Sequence, residues 1–128
     1  MSYTINRLIA DADFDAVDTR TRAALAAHGF GVLTEIDVKA TMKKKLDVDM
    51  TPYLILGACN PKMAYQAIGM EPRVGAMLPC NVILRKVTGG VEVSAIDPMA
   101  SMQAIDNAEL HGVAGQVRDL LAKAVAAI

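Results

Sequence analysis

The chain has 128 residues, 53% of them hydrophobic, and a formal net charge of −1. A chain of this length builds one ordinary domain, so we expect a single domain over residues 1–128 that needs no metal or disulfide to hold its core. The balanced charge and the 4% of aromatic residues argue against nucleic-acid binding, because they provide neither a positive field nor stacking surfaces. Because the N-terminus lacks a signal-peptide pattern and no apolar stretch is long enough to span a bilayer, we expect a cytoplasmic protein with no membrane partner.

The first part of the chain alternates strand and helix patterns. Residues 3–9 are rich in β-branched and apolar side chains and predict a strand. Apolar residues at helical spacing predict a helix over about residues 12–28, which Gly29 can end. The alternation over residues 31–37 predicts a second strand. Residues 38–46 place apolar side chains four apart, opposite several lysines, and predict a short helix with a solvated face.

The remaining patterns complete an α+β arrangement. Residues 53–56 are apolar on both faces and predict the central strand of the sheet. Residues 62–70 predict a helix, residues 81–87 and 91–97 predict a hairpin around two glycines, and a long apolar stripe from residue 108 predicts a closing helix. We therefore predict a two-layer α+β fold, a mostly antiparallel sheet of about five strands with helices packed on it, in the order β-α-β-α-β-α-β-β-α.

The only two cysteines of the chain are each followed by asparagine. Asn60 is a favoured helix N-cap and Pro61 a favoured first helical residue, so Cys59 should lie just before a helix N-terminus. The positive end of the helix dipole favours a thiolate there. Cys59 is therefore the candidate catalytic residue. The candidate ligand-binding residues around it are Asn60, Cys80, Asn81 and Asp97.

Each of these residues also has a structural interpretation. Free cysteine is among the most buried residue types, so Cys59 can equally be a core residue, and for Cys80 burial is favoured over reactivity. Asp97 precedes a proline and can cap a turn instead of facing the Cys59 pocket. The two cysteines can meet only if an antiparallel arrangement, or a second copy of the chain, brings them together. Five methionines flank the proposed site and suit either an adaptable apolar pocket or a soft core.

Metal and nucleotide sites are not indicated by the sequence. A metal centre at the cysteines would need two more ligands, and neither histidine lies at a spacing diagnostic of zinc. The Gly29-Phe30-Gly31 segment follows a predicted helix, whereas a phosphate-binding loop precedes one. We therefore expect no metal and no cofactor.

Residues 53–61, 78–82 and 95–98 resemble the bacterial and archaeal family of unknown function DUF302. Its members look like small α+β domains that form homodimers, and a subgroup carries the Leu-Gly-Ala-Cys-Asn-Pro and Leu-Pro-Cys-Asn segments found here at residues 56–61 and 78–81. The resemblance spans most of the chain and implies the fold and a homodimer. It carries over no catalytic residue, because the family has no settled biochemistry.

Two functions are expected from these observations. The first is a cytoplasmic homodimer that binds a small molecule, or carries sulfur or redox chemistry, through Cys59 at a helix N-terminus. The alternative is a non-catalytic binding or scaffold dimer in which Cys59 and Cys80 are buried structural residues. Whether the protein is an enzyme is left open by the sequence.

Overall fold

A computed structural model describes residues 2–128 of the chain. Across these residues the strands are β1 (Thr4–Ala10), β2 (Gly31–Asp37), β3 (Tyr53–Cys59), β4 (Cys80–Val87) and β5 (Gly90–Ile96). The α-helices are α1 (Phe14–Ala27), α2 (Val38–Leu46), α3 (Pro61–Met70), α4 (Pro98–Ser101) and α5 (Ala108–Ala126). A 3₁₀ helix at Pro72–Met77 lies between α3 and β4.

The α+β fold and the order of the nine predicted elements are confirmed. The 3₁₀ helix and α4 are additions, and both are too short to produce a recognisable hydrophobic period. Among the helices of residues 2–128, none combines the length and the apolar composition that crossing a bilayer requires.

The five strands form one sheet in the order β1-β5-β4-β3-β2, and every neighbouring pair is antiparallel. The central strand is β4, so the prediction that residues 53–56 form the centre is wrong. β3 is an interior strand with β4 on one side and the edge strand β2 on the other. An apolar pattern on both faces reports an interior position, but it does not distinguish one interior strand from another.

The main core lies between one face of the sheet and helices α1 and α5. Leu56, Val82 and Val93 point into it from three neighbouring strands and are fully buried. They belong to one apolar cluster with Leu25 of α1 and Leu121 of α5. A second, smaller cluster joins α3, the 3₁₀ helix and the first half of α5. Its members include Ala67, Val74, Met102, Leu110 and Ala114.

Thr21 of α1 is a polar residue in the main core. It is 0% exposed, and in the described part of the chain its hydroxyl is the buried side-chain polar atom without a hydrogen-bond partner. An unsatisfied buried hydroxyl costs roughly 1–3 kcal/mol. We therefore expect Thr21→Val, which preserves the side-chain shape, to raise the free energy of unfolding by about 1 kcal/mol in urea denaturation. Thr21→Ala is the matched control, since it leaves a cavity, and equal destabilisation by both variants would contradict the prediction.

Candidate functional site

The pairing of β3 with β4 brings the two cysteines to the same end of the sheet. Ala58 lies opposite Cys80 in the antiparallel ladder, and Cys59 follows Ala58 as the last residue of β3. The excursion through α3 and the 3₁₀ helix thus returns the chain antiparallel to β3, where a parallel crossover would have started β4 at the far end. The sequence left two ways for the cysteines to meet, an antiparallel arrangement within one chain or contact with a second copy. The structure shows the antiparallel arrangement.

Cys59 and Cys80 line one small cavity where the two apolar clusters meet. Its wall is built by the end of β3, α3, the segment before β4 with the first residue of β4, α4 with the residue that follows it, α5, and Phe30 before β2. The cavity volume is about 30 Å³. A water molecule needs at least roughly 10–15 Å³ measured this way, whereas pockets for organic ligands span roughly 300–1,000 Å³. The cavity therefore accommodates one or two heavy atoms and excludes an organic molecule.

The cavity wall is almost wholly apolar. Within the described chain no charged side chain lines it, and its polar side chains are the two thiols and the Asn60 amide. A buried site without charges disfavours ions of high charge and favours neutral or singly charged occupants.

Asn60 caps helix α3, as its position before Pro61 predicts. Its Oδ1 accepts a hydrogen bond from the backbone N–H of Met63 at 3.1 Å, which satisfies one of the free donors of the first turn. Cys59 directly precedes this cap. The helix N-terminus, with its partial positive charge, therefore begins at the cavity wall beside Cys59.

The two thiols differ in burial. Cys80 is 7% exposed, and this burial raises the pKa of its thiol to about 11, with the nearby Cys59 adding to the shift. Removing a thiolate from water disfavours the charged form, which is why the pKa rises. Cys59 is only partly buried. The site therefore pairs a partly exposed cysteine with a buried cysteine whose thiol stays protonated at neutral pH.

Asn81 and Asp97 lie outside the cavity. Asn81 is exposed, opposite Gly57 in the ladder. Asp97 accepts a hydrogen bond from the Met99 N–H at 2.9 Å and one from Arg118 Nε at 3.0 Å, so it caps α4 and ties it to α5. Of the sequence-predicted residues, the structure thus brings Cys59, Asn60 and Cys80 together in the cavity wall, and Asn81 and Asp97 do not line it.

The sequence reasoning did not predict that α5 forms part of this site. Val113 and Ala114 line the cavity, and in the sequence they appear only as part of the apolar stripe of the closing helix. A stripe at helical spacing shows which face of a helix is buried, but it carries no signal for which part of the sheet that face meets. Met63 and Met102 also line the cavity, which locates two of the five methionines noted in the sequence.

The cap at Asn60 can be tested separately from the thiols. Replacing an asparagine N-cap with alanine costs about 1 kcal/mol, so we expect Asn60→Ala to lower the free energy of unfolding by about that amount. Asn60→Ser is the matched control, because serine retains an oxygen that can accept the Met63 N–H bond. Urea denaturation measures both, and equal losses in the two variants would show that the cap is not what stabilises α3.

Comparisons with known proteins agree with this fold. The family model described as "Domain of unknown function DUF302" matches residues 6–128. The crystal structure of an uncharacterized conserved DUF302 protein from Bacillus stearothermophilus aligns with a TM-score of 0.91 at 23% identity, covering 98% of each chain. No curated protein matches the chain. Because the family model spans nearly the whole sequence, the chain belongs to the DUF302 family.

Proposed function

We propose that this protein is a cytoplasmic homodimer that carries thiol-based sulfur chemistry on Cys59, in the cavity it shares with Cys80. The supporting observation is that the only two cysteines of the chain line one cavity of about 30 Å³. That volume excludes an organic substrate but accommodates a single sulfur atom attached to a thiol. In this proposal, the small ligand expected from the sequence is a single sulfur atom carried by Cys59.

The proposed reaction is the transfer of the outer sulfur of a low-molecular-weight hydropersulfide, whose organic part stays outside the cavity beside the partly exposed Cys59. The Cys59 thiolate attacks this sulfur, a new S–S bond forms, and the S–S bond of the donor breaks. The donor leaves as a thiolate, which takes up a proton from solvent. The apolar wall keeps water from the new persulfide, and the protonated Cys80 thiol is a weak hydrogen-bond donor beside it.

The N-terminus of α3 supports the choice of Cys59 as the carrier. A terminal persulfide sulfur is anionic when deprotonated, and the partial positive charge of a capped helix N-terminus favours negative charge within the first turn. Cys80 begins β4 and has no helix N-terminus in its own segment. The two thiols therefore differ in electrostatic surroundings as well as in burial.

Exposed apolar side chains on β2 and α2 support the homodimer. We call Leu33 and Ile36 of β2, Leu46 of α2, and Val48, which lies two residues beyond α2, the β2–α2 patch. Their exposed fractions are 66%, 48%, 65% and 45%. In the described chain, α2 contributes no buried residue to the core. An exposed apolar group of this kind on an edge strand marks an interaction surface. A second copy of the chain, placed on the β2–α2 patch, would bury it.

The homodimer is tested by sedimentation. We expect the wild type to sediment as a dimer and Leu33→Glu with Ile36→Glu to sediment as a monomer, because charges in an apolar interface are costly to bury. Tyr65→Glu is the control, since Tyr65 is 82% exposed and lies on α3, which contributes no residue to the patch. A monomeric wild type, or a dimer that the double substitution leaves intact, would contradict this part of the proposal.

The sulfur chemistry is tested by intact-mass spectrometry after incubation with inorganic polysulfide and removal of the excess. We expect the wild type and Cys80→Ser to gain the mass of one sulfur atom and Cys59→Ser to gain none. Thermal denaturation of each variant confirms that it is folded. Equal uptake by Cys59→Ser, or no uptake by the folded wild type, would exclude the carrier.

The second candidate is a non-catalytic scaffold dimer. The burial of Cys80 and the small size of the cavity favour it, because both are also features of ordinary core packing. It predicts that Cys59→Ser and Cys80→Ser lower the melting temperature and that the wild type takes up no sulfur. Thermal denaturation and intact-mass spectrometry therefore separate the two candidates.

A further inference from the structure

We propose that the cavity at the end of β3 binds one Cu(I) ion through four sulfur atoms, those of Cys59, Met63, Cys80 and Met102. This proposal goes beyond sulfur transfer, because a metal ion held by these side chains requires no persulfide on Cys59.

The first observation is that these four sulfur-bearing side chains line the same cavity. They come from four different elements. Cys59 ends β3, Cys80 begins β4, Met63 lies in the first turn of α3, and Met102 directly follows α4. Met102 is 4% exposed, so its thioether is part of the interior. The four possible sulfur donors therefore come from separate parts of the chain and share one cavity wall.

The second observation concerns the type of donor. Within residues 2–128, no group of three histidine, cysteine, aspartate or glutamate side chains lies together in a way that could hold a metal ion. Zinc sites take three or four ligands of these types, and this cavity offers two. Thiolates and thioethers together are soft ligands that select Cu(I). Only a metal that accepts methionine sulfur would thus find a complete set of ligands here.

The charge and size of the cavity point to the same ion. The lining residues of the described chain carry no charged side chain. When Cu(I) binds, both cysteines lose their protons. The ion with its two thiolates then carries a single negative charge, which the partial positive charge at the N-terminus of α3 beside Cys59 favours. The volume of about 30 Å³ holds a single ion without a shell of water. A hydrated hard cation such as Mg²⁺ fits neither the volume nor the donors.

The experiment is an anaerobic titration of the reduced, metal-free full-length protein with Cu(I), in competition with the chromophoric chelator bicinchoninate. We expect one Cu(I) per chain. Met63→Leu with Met102→Leu should weaken binding by at least about tenfold, and Cys59→Ser or Cys80→Ser by about a hundredfold or more. Met70→Leu with Met77→Leu is the matched control, because it removes two thioethers that do not line the cavity, and it should bind as the wild type does.

Three results would overturn the proposal. These are no stoichiometric binding by the wild type, equal losses in the two methionine pairs, and X-ray absorption spectra that show nitrogen or oxygen ligands in place of sulfur. Leucine has about the volume of methionine, so the double variant at Met63 and Met102 should keep the packing around the cavity and should fold. It also keeps both cysteines and should still take up one sulfur atom from polysulfide. Failure of the copper site and failure of the sulfur carrier are therefore distinguishable.

Discussion

Alkylation of Cys80 in the native, reduced and metal-free protein is expected to be more than about a hundredfold slower than in the unfolded chain at about pH 8. Only a thiolate reacts with iodoacetamide, and burial raises the pKa of Cys80 to about 11. The usual thiol pKa is about 8.5, so the thiolate fraction falls roughly tenfold for each unit of the difference. Cys59 is only partly buried and should be the first cysteine modified in the folded protein. Peptide mass spectrometry at several reaction times measures both rates.

The raised pKa of Cys80 also predicts how stability depends on pH. A thiol whose pKa is higher in the folded state favours folding below its unfolded pKa, and this contribution is lost as the pH rises through the folded value. Between about pH 9 and pH 11, the free energy of unfolding of the wild type should therefore fall more steeply than that of Cys80→Ala. Urea denaturation across this range tests the difference. Native-state alkylation of Cys80 as fast as that of Cys59 would contradict both expectations.

Gly57→Ala is expected to lower the free energy of unfolding by about 2–3 kcal/mol. A Cβ at Gly57 would overlap the side chain of Thr34 on β2 and would lie 2.7 Å from Cγ of Pro79. Thr34 is exposed and can rotate away, but the proline ring cannot, so the segment before β4 must move. Because Pro79 lines the cavity, the substitution should also change the alkylation rate of Cys59. Urea denaturation and the alkylation assay measure the two effects.

Gly69→Ala is the matched control for Gly57→Ala. A Cβ at Gly69, in helix α3, meets no atom within 4 Å. Alanine is favoured over glycine in a helix by roughly 0.5–1 kcal/mol, so this substitution should be neutral or stabilising. If Gly57→Ala were as harmless as Gly69→Ala, the close approach of Pro79 to β3 would not be a constraint on the fold.

The elements of the fold were predictable because their signals are local. Periodicity located the strands and helices, and the Asn60-Pro61 pair correctly marked the start of α3. The sheet order was not predictable in the same way. The apolar run at residues 53–56 indicated that β3 is interior. The position of β4 at the centre also depends on the pairing of β1 with β5, which joins the first strand to the last and has no local signal in a single sequence.

The candidate site was predictable in part for the same reason. The position of Cys59 before a helix follows from adjacent residues, whereas its proximity to Cys80 depends on the antiparallel register of β3 and β4. Asp97 was open to two interpretations, and its partner Arg118, on α5, is visible only in the folded chain. The small volume of the cavity arises from the packing of segments that are far apart in the sequence, which no motif encodes.

The most direct test of the account is to locate the sulfur that the native wild-type protein takes up from polysulfide. Trypsin separates the two cysteines, since residues 46–62 contain Cys59 and residues 74–85 contain Cys80. Trapping of persulfides with an alkylating agent, followed by digestion and mass spectrometry, then reads each site separately. The account predicts one additional sulfur atom on the peptide with Cys59 and none on the peptide with Cys80. Sulfur on neither peptide, or equal amounts on both, would contradict it.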